Sequence, residues 1–92
     1  MDYAVTFSTW VNEEEPMMRG IKPDNQKFLV EADNMDEAYA YAIRFENIET
    51  DSYEGLDKVI GIDLATENEK SQLSPLSIYE DYLKKQWPSK YK

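Results

Sequence analysis

The chain contains neither cysteine nor histidine. Without cysteine there is no disulfide framework, no thiolate metal site and no sulfur nucleophile. Without histidine the commonest general base and the commonest metal ligand are both missing. Glycine is scarce, and Gly20, Gly55 and Gly61 lie too far apart to form a phosphate-cradling loop. The nucleophile-elbow pattern G-x-S-x-G is also absent. No apolar run approaches the roughly 20 residues that cross a bilayer. The N-terminal MDYAVTFSTW opens on an acid and lacks the basic-then-apolar order of a signal peptide. A cytoplasmic protein without membrane association is the expectation.

What is present argues for a folded body. Hydrophobic residues make up 41% and aromatics 13%, far from the composition of a disordered acidic tail. A chain of 92 residues supports one core, so a single acidic domain spanning 1–92 is expected, with 88–92 a frayed tail. The net charge is −9 and unevenly spread. Residues 1–81 hold all 19 acids and six bases, while the last eleven residues hold four lysines and no acid. An anionic body repels nucleic acid and favours basic partners, so direct nucleic-acid binding is not expected.

Residues 3–11 (YAVTFSTWV) alternate as a strand does, with Tyr3, Val5, Phe7 and Val11 on one face and Ala4, Thr6, Ser8 and Trp10 on the other. Residues 12–25 read as a long connection, with Glu13, Glu14 and Glu15 before Pro16 and a Pro23-Asp24-Asn25 turn signal. A short second strand follows over 26–32. Asn34 with Glu37 then has capping-box spacing, opening a helix to about Glu46 with Met35, Ala38, Ala42 and Phe45 as its buried stripe. Residues 57–66 form the third strand, with Ile60, Ile62 and Leu64 on one face. Residues 67–74 are polar and loop-like. Ser74-Pro75 or Ser77 opens a last helix, in which Leu76, Tyr79, Leu83 and Trp87 share a face and Pro88 is the stop. The fold expected is α+β, a two-layer sandwich. Its three-stranded mixed sheet has order 2-1-3, with two helices on one face and element order β-β-α-β-α.

The stretch EADNMDEAYAYAIRFENIETDSYEGLD, residues 31–57, carries nine carboxylates against the single base Arg44. B-DNA displays one charge per roughly 1.7 Å of its axis, so carboxylates held on a rigid element can occupy a basic DNA-binding groove. The candidate phosphate mimics are Asp33, Asp36, Glu37, Glu46, Glu49, Asp51, Glu54 and Asp57. Helix capping and the helix dipole also account for Asp36 and Glu37, and solubility alone can account for an acidic surface. No spacing singles out a catalytic carboxylate pair, so no enzyme is expected. Asp51-x-x-Glu54 and the acids at 33, 36 and 37 do not fit a calcium loop, so neither a metal nor a cofactor is expected. The competing reading is an adaptor that binds through an apolar patch or a sheet edge, with Met17, Met18 and Trp10 as anchors.

In size, in its lack of cysteine and histidine and in the acid-rich stretch over 31–57, the chain resembles small early proteins of T-even-type phages, in particular the Arn-type anti-restriction DNA mimics. The resemblance implies a phage protein made in the host cytoplasm. Its partner would be a basic host DNA-binding protein, either a restriction endonuclease or a histone-like nucleoid protein. It also allows a homodimer. No residue role follows from it.

Overall fold

A computed structural model of the chain describes residues 1–48 and 53–87. The candidate acids Glu49 and Asp51, the helix stop at Pro88 and the tail 88–92 lie outside these residues. Strand β1 (Asp2–Val11) buries Tyr3, Val5 and Phe7, as its alternation predicts. It lies between β2 (Gln26–Glu31) and β3 (Glu54–Leu64), so the sheet order is β2-β1-β3. Both neighbours run antiparallel to β1. β2 and β3 therefore share a direction, but each pairs with β1 and not with the other. The sheet is antiparallel where a mixed one was expected.

The crossover from β2 to β3 carries α1 (Met35–Ala42) and one 3-10 turn (Ile43–Phe45). Asn34 caps α1: the Glu37 N–H donates to Asn34 Oδ1 at 2.9 Å, and the Asn34 side-chain Nδ2 donates to Glu37 Oε2 at 3.4 Å, so the two residues meet side chain to side chain without the full capping box. Ala38, Ala42 and Phe45 are buried, but Met35 is 45% exposed. The stripe thus begins one turn later than its spacing suggests. Met35 opens α1 past the sheet end, where β2 stops at Glu31 beside Asp2.

In β3 the expected face of Ile60, Ile62 and Leu64 forms only in part. Leu56 is buried and Val59 and Ile62 pack on the core, while Ile60 and Leu64 are 54% and 55% exposed. The ladder to β1 shifts register between Thr6 and Phe7 and again between Phe7 and Thr9, each time with an extra residue on β3. The extra residue at Ile60 leaves Val59 opposite Phe7 on the core side, so the period-2 reading fails there, while Leu64 stays in phase with Ile62 and is exposed as the last residue of the strand. Two side chains serve the backbone there. The Lys58 N–H donates to Ser8 Oγ at 3.2 Å, and the Val59 N–H donates to Glu46 Oε2 at 2.8 Å.

Residues 67–74, expected as a loop, contain a short helix, α2 (Glu67–Gln72). Thr66 and Glu69 form a reciprocal capping box, which the polar composition hides. Lys27, the ladder partner of Thr6, meets Glu69 at 3.2 Å and so tethers α2 to the sheet face opposite α1. The last helix, α3 (Leu76–Gln86), buries Leu76 and Leu83, with Tyr79 and Trp87 packed beside them as their spacing predicts. Ser77 does not cap it; the N-cap is Pro75. Glu80 instead accepts from the Tyr41 hydroxyl at 2.9 Å and from Arg44 at 3.1 Å. α1 and α3 share one core on one face of the sheet.

Candidate functional site

Four candidate acids, Asp33, Asp36, Glu37 and Glu54, are exposed. Asp57 is half-buried on β3. Glu46 is half-buried, and its carboxylate already receives the Val59 N–H, so its position serves the β3 bulge. The fold divides the exposed acids between the two ends of the sheet. Asp33, Asp36 and Glu37 follow β2 at the end where Asp2 pairs with Glu31. Glu54 opens β3 at the other end, opposite Val11. The Asn12 N–H donates to the Tyr53 carbonyl at 2.7 Å, which brings the start of the acidic 12–25 connection to the Glu54 end.

Strand pairing adds acids that sequence spacing could not group. Asp2 lies opposite Glu31, and Asp63 lies opposite Ala4 near the same end. Among the described residues the ion pairs use other acids. Lys27 meets Glu69, Lys70 meets Glu67, and Arg44 and Lys84 both meet Glu80, at 3.1–3.7 Å. None of Asp33, Asp36, Glu37, Glu54 and Asp57 takes part in them. Glu67 and Glu69 are thus partnered. Among the described residues no group of three or more acids is placed to hold a metal ion, and no helix is long and apolar enough to cross a membrane.

A second feature was not legible beforehand. An open cleft of about 420 Å³ lies between the connection at Ile21–Asp24, the start of β3 and the C-terminal half of α3. Its walls carry Phe28, Tyr79, Tyr82 and Trp87, with Glu54 and Asp24 among the polar groups. The rings form a continuous series: Phe28 to Tyr79 at 5.8 Å, Tyr79 to Tyr82 stacked at 6.2 Å, and Tyr82 to Trp87 edge-on at 5.6 Å. Burial pushes the Tyr79 phenol above its ordinary range, and Tyr82 and Glu54 push the same way. The helical spacing of Tyr79, Leu83 and Trp87 was the only signal in the sequence. It reads as core, because nothing local shows that the 21–24 connection and the start of β3 leave an open space beside α3.

The proposed adaptor anchors are dispersed. Met17 is exposed in a 3-10 turn (Pro16–Met18), and Met18 is half-buried. Trp10 lies across its ladder partner Gly55, where an added Cβ would come within 2.6–2.8 Å of the indole. Its ring N–H is buried without a hydrogen-bond partner among the described residues. Comparison with protein-family models, curated proteins and solved structures finds no match for this chain.

Proposed function

We propose that this chain is a non-enzymatic inhibitor that binds a basic DNA-binding protein through its carboxylates and keeps DNA from the same groove. The observation that carries this reading is the division of charge. Bases pair with Glu67, Glu69 and Glu80, while Asp33, Asp36, Glu37 and Glu54 stay exposed and outside these pairs on ordered backbone. Carboxylates without counter-charges present their full potential to a cationic surface and steer it into contact. A restriction endonuclease or a histone-like nucleoid protein of the host cytoplasm has the required groove.

The test is capture of partners from nuclease-treated bacterial lysate at low and high salt, with duplex DNA as competitor. Salt-sensitive capture of a DNA-binding protein, released by DNA and lost in D33N/D36N/E37Q/E54Q, is the expected result. Undiminished capture by that variant, with its fold intact by circular dichroism, would refute the proposal. The exposed Ile60 and Leu64 on the edge strand β3 favour a second reading, an adaptor whose affinity is apolar. Salt-resistant capture would select it.

A further inference from the structure

The cleft combines two properties that separately are ordinary. In its aromatic wall Tyr82 is 48% exposed beside the half-buried Phe28, Tyr79 and Trp87, and its lining includes two acids, Glu54 and Asp24, that join no ion pair among the described residues. Ring faces carry negative potential and attract cations, most strongly for tryptophan and tyrosine. A carboxylate beside such a wall adds charge and a hydrogen-bond acceptor. An apolar ligand would leave Glu54 and Asp24 desolvated and unpaired, and an anion would be repelled by both. The chemistry that satisfies every wall at once is a cationic head group on an apolar stem.

We infer that the aromatic cleft receives an arginine or lysine side chain from an extended basic segment of the partner protein, with the cation against Tyr82 and Trp87 and its N–H groups toward Glu54 and Asp24. The inference rests on the reading above that the partner is a basic protein, and it gives that protein a defined anchor. Long-range attraction from Asp33, Asp36 and Glu37 would act at the other end of the sheet; the cleft would supply the short-range recognition. Lys22 is the one cation among the described lining residues, and its charge opposes the entry of a second cation.

The experiment uses the intact chain and a short Gly-Ser peptide carrying one arginine, with citrulline as the neutral isostere. Binding is measured by calorimetry and mapped by amide chemical shifts. The arginine peptide should bind and perturb Tyr82, Trp87 and Glu54, and the citrulline peptide should not. Y82L should weaken binding about fivefold, and E54Q should weaken it measurably. D33N/D36N/E37Q should leave it unchanged, and Lys22→Gln should strengthen it. Equal binding of the citrulline peptide, shifts that map away from the cleft, or weaker binding in Lys22→Gln would each overturn the inference. So would a concentration-dependent dimer dissociated by Y82L, since a second copy would then fill the cleft. Failure here with salt-sensitive, DNA-competed capture intact removes only the anchor. Peptide binding with salt-resistant capture removes only the mimicry.

Discussion

Single residues in this chain often serve the backbone where their charge or size suggests a surface role. Glu46 sits in the most acidic stretch of the sequence, yet its carboxylate accepts the Val59 N–H at a bulge. Glu46→Ala removes that acceptor from a partly buried donor and should cost about 1–3 kcal/mol in urea unfolding. Asp36→Asn, on an exposed first-turn residue, should change stability far less. Trp10 and Gly55 form a similar unit, because the indole occupies the space a side chain would need. Gly55→Ala should destabilise the fold by about 1–3 kcal/mol and shift Trp10 emission to the red as the ring is displaced. Neither dependence can be read in local pattern: Glu46 meets Val59 across 13 positions, and Trp10 meets Gly55 only through the ladder between β1 and β3.

At the scale of elements, legibility followed from whether a signal was local. The Asn34 cap and the α3 stripe of Leu76, Tyr79, Leu83 and Trp87 are set by spacings within a helix, and both form as spacing predicts. β3 did not yield to the same reasoning, because bulges arise from how two strands fit. α2 was legible and overlooked, since Thr66 and Glu69 have capping-box spacing in a segment without apolar periodicity. The Thr66 N–H, and then the Lys27 ammonium, hold the Glu69 carboxyl below its ordinary range. Its folded value lies below its unfolded one. Its stabilising effect is therefore complete above the unfolded value, about 4.3 for a glutamate, and is lost as pH falls through the folded value. Unfolding midpoints measured across that acid range should fall less steeply in Glu69→Gln than in the parent chain.

At the scale of the whole molecule, the excess of negative charge works against compactness while it recruits cations. Salt screens that self-repulsion: the Debye length falls from about 30 Å at 0.01 M to about 8 Å at 0.15 M. The melting temperature should therefore rise over this interval, while capture of a basic partner weakens. A fall in melting temperature would mean that the ion pairs of Glu67, Glu69 and Glu80 outweigh the repulsion among unpaired acids. The sequence by itself determined the order of the three strands and the two main helices and most of their buried positions, because alternation and capping act over a few residues; the expected 2-1-3 strand order also holds. It also determined the sign of the surface. Only the tertiary structure decided how that charge is distributed. Strand pairing places Asp2 and Asp63 near the acids that precede and open α1, ion pairs engage Glu67, Glu69 and Glu80, and the Val59 N–H engages Glu46. The aromatic cleft likewise exists only where the 21–24 connection, the start of β3 and α3 come together, a meeting that no single segment encodes.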